Sequence, residues 1–207
     1  MDRSRTLEVA AGVDAEVGRR LAFVYELDRL KGVLRRTLTL EGERRENSAE
    51  HSWHLALTAL VLAPFADEPL DLDRVIRILL VHDVVEIDAG DVFVYDEAAR
   101  AEIEATEREA ADRIFGLLPD PDGAELRALW DEYEQSATPE ARFAYACDRL
   151  QPLLLNLATG GGSWRDHGIT LDRVSEINGR IAQGSGRLWA VARALLQAAV
   201  DDGDLAR

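Results

Sequence analysis

Apolar residues along this 207-residue chain recur at three- and four-residue intervals, and the elements that this spacing predicts are helices. Residues 13–30 carry Val17, Leu21, Val24, Leu27 and Leu30 at helical spacing. The polar stretch TLEGERREN reads as a loop, after which Asn47 and Glu50 form a capping box that opens the apolar run SAEHSWHLALTALVLAPF. Pro69 and Asp71 introduce DLDRVIRILLVHDVVEI, read as one helix closed by Gly90. Residues 97–118 predict a charged amphipathic helix, and 123–136 one that sets Leu126, Leu129, Trp130 and Tyr133 on a single face, where Trp130 and Tyr133 read as core in preference to a dimer interface. Thr138-Pro139 starts the helix EARFAYACDRLQPLLLNLA, with Pro152 expected to kink it. TGGGSWRDHG reads as a flexible loop before two C-terminal helices, among whose residues Trp189 is assigned to core. No alternating Val/Ile/Thr-rich segment predicts a strand, and no repeat or linker divides the chain. The expectation is a single all-α domain over residues 1–207, a helical bundle with its core at roughly 13–200.

Composition narrows the function. With 47% hydrophobic and 30% charged residues the chain can bury a substantial core. A formal charge of −15 argues against a nucleic-acid backbone as partner, which needs a basic footprint. A small phosphate ligand stays open, because a metal ion and one or two arginines reverse the local field. MDRSRTLEVA lacks the apolar segment of a signal peptide, LALTALVLAPFA is too short to span a bilayer, and Cys147 stands without a disulfide partner. These features lead us to expect a cytoplasmic protein without membrane contact.

Three of the four histidines, His51, His54 and His82, fall close together, and Asp83 follows His82 directly within an apolar run. Buried ionisable groups need compensation. Adjacent residues on a helix diverge by ~100°, so His82 and Asp83 need ligands from other helices to close a metal site. Asp148, out of place in FAYACDRLQPLLL, fits as the missing carboxylate, although it could instead pair with Arg149 or Arg142. His54 could join His51 through its i, i+3 spacing, while His167 in its glycine-rich loop reads as exposed or rim-lining. Glu86 shares the helical face of His82 and Asp83, and Asp91 follows Gly90 at the mouth of any site. Imidazole and carboxylate together suit a hard or borderline divalent ion such as Co²⁺, Mn²⁺ or Mg²⁺.

The order H51, H82-D83, D148 resembles the HD-domain phosphohydrolases. The segments LKGVLRRT, RRENSAEHSWHLAL, LLVHDVVEIDAGD and ARFAYACDRLQPLLLN are similar to the branch that contains the 5′-deoxynucleotidases. The resemblance implies one divalent ion on His51, His82, Asp83 and Asp148. It implies that Arg35 orients the substrate phosphate, that Glu86 is the catalytic acid, and that Asp91 contacts the deoxyribose. Arg36 stands where the family pattern has an aromatic residue against the sugar, a departure that bears on deoxyribose selection. The activity implied is removal of the 5′-phosphate from (deoxy)nucleoside 5′-monophosphates by a homodimer. The alternatives are hydrolysis of another phosphorylated small molecule, such as a guanosine alarmone nucleotide, and a non-catalytic domain that only binds a ligand.

Overall fold

A computed structural model describes residues 1–207 as eleven α-helices and a two-stranded ribbon. Helix α1 (Arg3–Val13) and α2 (Ala15–Leu27) meet at Asp14, whose side chain caps α2 by accepting from the Glu16 and Val17 amides. The helix expected over 13–30 is α2, which ends at Leu27 and gives way to a 3-10 turn over Asp28–Gly32. It buries Phe23 and Glu26, while Val17 and Val24 of the predicted stripe are exposed. The chain packs α1 against the side of α2 at Gly18, where a Cβ would meet Ala11 at 2.9 Å.

Strands β1 (Leu34–Leu38) and β2 (Arg45–Asn47) pair antiparallel, with Leu34 opposite Asn47 and Leu38 opposite Arg45 and a bulge between. This ribbon corrects the expectation of no strand. Burial along β1 alternates, but the inward residues are Arg35 and Thr37 rather than aliphatic ones, so hydrophobic patterning cannot reveal it. Glu46 is the inward residue of β2.

The Asn47–Glu50 capping box is present and opens α3 (Ser48–Leu62). Helix α4 (Leu72–Val81) ends earlier than the sequence suggests. Residues 82–85 form a tight turn, with the Val84 amide bonded to the Val81 carbonyl at 3.0 Å and the Glu86 amide to the Asp83 carbonyl at 3.0 Å. Val84, Val85 and Ile87 stay buried through this turn, so the apolar run continues although the helix does not. A β-branched pair at Val84–Val85 also favours helix weakly. The short α5 (Glu86–Ala89) then ends at Gly90, which takes φ 78° and closes it as expected.

Helices α6 (Glu97–Phe115), α7 (Asp122–Gln135) and α8 (Pro139–Ala158) follow the predicted order. Pro152 lies inside α8 and has no amide hydrogen to give the Asp148 carbonyl four residues before it. Within the predicted glycine-rich loop the chain forms a further helix, α9 (Gly162–His167). It is fixed by Trp164, 1% exposed, and by Asn156 Oδ1, which accepts from the Ser163 amide at 2.8 Å and its hydroxyl at 2.9 Å. Helices α10 (Leu171–Asn178) and α11 (Gly186–Asp202) complete the chain. The core gathers around α8, where Phe143, Ala144, Cys147, Leu150 and Leu153 meet Val75, Ile78 and Leu79 of α4 and Leu196 of α11. Trp130 belongs to it and Trp189 is half-buried against it. No helix is long and apolar enough to cross a membrane.

Candidate active site

Four side chains from three parts of the chain converge beneath the ribbon. His51 sits in the first turn of α3, His82 and Asp83 in the turn that ends α4, and Asp148 midway along α8. All four are buried, at 0%, 4%, 9% and 1% exposure. His51 Nε2 lies 3.0 Å from Asp148 Oδ1 and 3.9 Å from Asp83 Oδ2. His82 Nε2 lies 3.0 Å from Asp83 Oδ1 and 3.8 Å from Asp148 Oδ1. Ligands bound at ~2.1 Å to one ion lie about 3–4 Å from each other, and these four separations fall in that span. His51, His82 and Asp83 each offer a ligand atom within 4.8 Å of the others. His82 Nε2 is buried without a hydrogen-bond partner despite its nearness to two carboxylates. An imidazole nitrogen left unpaired between carboxylates fits a cation and serves no purpose in an apolar core.

Outer contacts hold each of the four in place. His82 Nδ1 donates to the Leu79 carbonyl at 2.8 Å and His51 Nδ1 faces Glu46 Oε2 at 3.1 Å, which turns both Nε2 atoms inward. Asp148 Oδ2 accepts from the Tyr133 hydroxyl at 2.7 Å and from Arg149 Nε at 3.0 Å. Burial alone would raise the Asp148 carboxyl, but the Arg149 charge and the two imidazoles hold it well below the usual range. Burial likewise disfavours charge on His82, yet Asp83 and Asp148 outweigh it and push the imidazole up to about 9.

His82, Asp83 and Asp148 open onto a cavity of about 370 Å³ lined by Arg35, Arg36, Glu86, Asp91, Tyr133 and Arg149 among others, with His51 fully buried behind them. Arg35 Nη1 donates to Asp83 Oδ2 at 2.8 Å and lies 3.8 Å from Glu86 and 3.7 Å from Asp91. Its Nε is buried without a partner. Glu86 accepts the Ser48 hydroxyl at 2.5 Å, and burial, then repulsion from Asp83, raises its carboxyl well above the ordinary value. Burial raises Asp91 too. Glu134, which also lines the cavity, is pushed up to about 7 by burial and by Glu107.

The structure therefore brings together His51, His82, Asp83, Asp148, Arg35, Glu86 and Asp91, with the exposed Arg36 on the cavity wall. Glu86 reaches this cluster across a turn and not along one helical face, which corrects the reading of a continuous helix. His54 stays outside: it is exposed, and its Nδ1 faces Gln151 at 3.0 Å. His167 is exposed and packs on Phe93 with ring centroids 4.6 Å apart. Asp148 does pair with Arg149, while Arg142 bonds Glu68. Sequence reasoning missed Glu46, Ser48, Arg149 and Gln151 as site residues and took Tyr133 for core. Only the placement of Glu46 and Ser48 inside the RRENSAEHSWHLAL segment hinted at their role.

The HD domain family matches residues 27–189. A 5′-deoxynucleotidase of Xenopus laevis is 33% identical over 147 residues, which cover 70% of this chain and 72% of the frog protein. The 5′-deoxynucleotidase of Homo sapiens is 35% identical over 112 residues, 54% of this chain. This chain spans about half the length of the mammalian relatives, 53% of the human protein. The crystal structure of a protein described as a predicted metal-dependent phosphohydrolase, from Magnetospirillum magnetotacticum, superposes with a TM-score of 0.88 at 52% identity. That match covers 94% of this chain and 100% of the other.

Proposed function

The chain belongs to the HD domain family, and from that premise we propose that it is a metal-dependent phosphomonoesterase acting on deoxynucleoside 5′-monophosphates. The observation that carries the reading is the unpaired, buried Nε2 of His82 facing Asp83 and Asp148 at the floor of a cavity that also holds Arg35. The names of the frog and human relatives supply the substrate class.

His51, His82, Asp83 and Asp148 would hold one divalent ion, whose identity among Co²⁺, Mn²⁺ and Mg²⁺ follows supply as much as ligand type. Bound there, the ion supplies Lewis acidity that offsets phosphoryl charge and acidifies water. Arg35 presents a planar fork to the remaining phosphoryl oxygens, and its unpartnered Nε is a donor in need of an acceptor. Glu86, with its carboxyl raised well above the ordinary value by burial, is biased toward its protonated form. The Ser48 hydroxyl occupies Oε2, so Oε1 is the atom left to pass that proton to the leaving 5′-oxygen. Water adds to phosphorus as the P–O5′ bond breaks, and the products are the nucleoside and inorganic phosphate. Asp91, half-buried beside Arg35, is the acceptor for a sugar hydroxyl.

Arg36 offers no apolar wall against the 2′ position. A site that merely tolerates or crowds a hydroxyl discriminates by ~10²-fold at most. Hydrolysis of dAMP and AMP measured side by side with Mn²⁺ should therefore favour dAMP in kcat/KM by less than about 100-fold. Turnover of neither, alongside rapid hydrolysis of a pyrophosphorylated nucleotide, would overturn the substrate assignment.

The same reading extends to a homodimer in the cytoplasm. Trp53, Leu57 and the adjacent Leu60 and Val61 follow at helical spacing on α3 and are exposed, which supports this face as the contact. The lone Cys147 is buried, and burial with the Asp148 charge pushes its thiol up to about 12, in keeping with a protein that needs no disulfide. Sedimentation should give a dimer that Trp53→Glu dissociates; a monomeric wild-type protein would sink the assembly.

A further inference from the structure

Resting on the metal site proposed above, we propose that Glu46, braced by Gln151, is the positioning residue that decides which nitrogen of His51 faces the cation. Glu46 is 4% exposed on the inner edge of β2, five residues before His51. Its Oε2 lies 3.1 Å from His51 Nδ1. A carboxylate can only accept, so Glu46 draws a ring proton to Nδ1, and Nε2, 3.0 Å from Asp148 Oδ1 and 3.9 Å from Asp83 Oδ2, is then the nitrogen free to meet a cation held between those carboxylates. His82 achieves the same orientation through the neutral Leu79 carbonyl. Of the two imidazoles only His51 has a carboxylate behind it, a partner that fixes ring orientation more firmly than a neutral carbonyl.

Glu46 is itself held from the other side. Its Oε1 accepts from Gln151 Nε2 at 2.7 Å, and the second hydrogen of that amide points to His54 Nδ1 at 3.0 Å. Gln151 is 2% exposed, and its Oε1 is buried with no partner. Flipping the amide would set oxygen against oxygen at Glu46, so the orphaned acceptor persists in order to keep Glu46 bonded. A buried acceptor left unpaired costs stability, and its retention marks a constraint other than folding. Gln151 lies three residues after Asp148 on α8, so one helix supplies both a carboxylate for the site and the clamp on Glu46. The β-ribbon carries Glu46 and, at 3.7 Å from it, Arg35 Nε, which has no hydrogen bond. Glu46 thus ties the ribbon, α3 and α8 to one imidazole.

The test is Mn²⁺ titration by calorimetry of metal-stripped wild-type, Glu46→Gln and Gln151→Met proteins, with ¹⁵N NMR of the histidine rings. Glu46→Gln should weaken Mn²⁺ by about 10- to 100-fold, the range for loss of such an outer partner. It should also populate the other His51 tautomer, because an amide can donate to Nδ1 as well as accept from it. The tautomer signal separates positioning from simple loss of a negative charge, which would weaken Mn²⁺ while leaving the ring unchanged. Gln151→Met should shift both readouts in the same direction by a smaller factor. An unaltered Mn²⁺ affinity and an unaltered His51 tautomer in Glu46→Gln overturn the inference; if that variant does not fold, the same result in Gln151→Met does so. A wild-type protein that takes up no Mn²⁺ defeats the metal site itself, and the His51 ring signals then judge Glu46 alone.

Discussion

Tyr133 donates its hydroxyl hydrogen to Asp148 Oδ2 at 2.7 Å, the oxygen that Arg149 also binds, so that Oδ1 is the atom turned toward His51 and His82. A carboxylate held at one oxygen presents the other with little freedom. Tyr133→Phe keeps the ring, which packs 4.9 Å from that of His82, and removes only the bond. Arg149 remains, so the loss should be partial. We predict a metal dissociation constant about tenfold weaker, at the low end for an outer-partner deletion, with kcat at saturating metal nearly unchanged. Competition against a chelating dye measures it, and equal affinities would show that Arg149 alone orients Asp148.

Asp83 is expected to behave differently, because its oxygens lie within reach of both imidazoles and of Arg35. Metal that binds the folded state at 100 times its Kd adds about 2.7 kcal/mol of stability. For a chain of this size each kcal/mol is worth roughly 2–4 °C. Wild-type Tm should therefore rise by about 5–10 °C on adding Mn²⁺, and Asp83→Ala and His51→Ala should show no rise and no activity. A metal-induced rise retained by Asp83→Ala would remove it from the ligand set.

Which parts were legible follows from what the patterns record. Helices α3, α6 and α8 carry apolar positions and side-chain caps, α7 carries an apolar stripe, and the chain states them openly. Asp148 was legible because an aspartate amid buried apolar residues needs a partner. The ribbon was hidden because its inward face is Arg35, Thr37 and Glu46, residues that a hydrophobic pattern scores as surface. The break after Val81 was hidden for the converse reason: Val84, Val85 and Ile87 are as buried in a turn as they would be in a helix. Tyr133 sat in a plausible apolar stripe, and only its contact with Asp148 separates it from the core.

A second buried carboxylate outside the site carries a pH signature. Glu26, 4% exposed, accepts from Arg113 at 2.7 Å and from Arg3 at 3.2 Å, with Arg29 on the same group. Burial works to raise it, but the three guanidiniums together lower it from 4.5 to about 2. A depressed folded-state value means that the carboxylate stabilises the fold above its unfolded value and ceases to do so as pH falls toward 2. The arginines are partly exposed, so we expect Glu26→Gln to cost only about 1–2 kcal/mol at pH 7. That difference should shrink between pH 4.5 and 2 in urea unfolding. A gap that stays constant across the range would mean that the charge contributes nothing.

Glu86 gives the sharpest separation of roles. Its contacts run to Ser48 and Arg35, and it lies outside the group His51, His82 and Asp83 whose ligand atoms converge. Glu86→Gln retains shape and can still accept the Ser48 hydroxyl, but it has no proton to give. Metal affinity should stay near that of the wild type while kcat on a nucleoside 5′-monophosphate falls by roughly 10²–10⁴, the range for loss of a general acid. An acid must be protonated to act, so a carboxyl raised by burial keeps the enzyme active until pH climbs through that raised value, and activity is then lost. Glu86→Gln should abolish this basic limb. An aryl phosphate, whose leaving group needs little protonation, should suffer far less from the same substitution. Loss of metal in Glu86→Gln would make the residue a ligand. Equal losses for alkyl and aryl leaving groups would move its proton from the leaving oxygen to the attacking water.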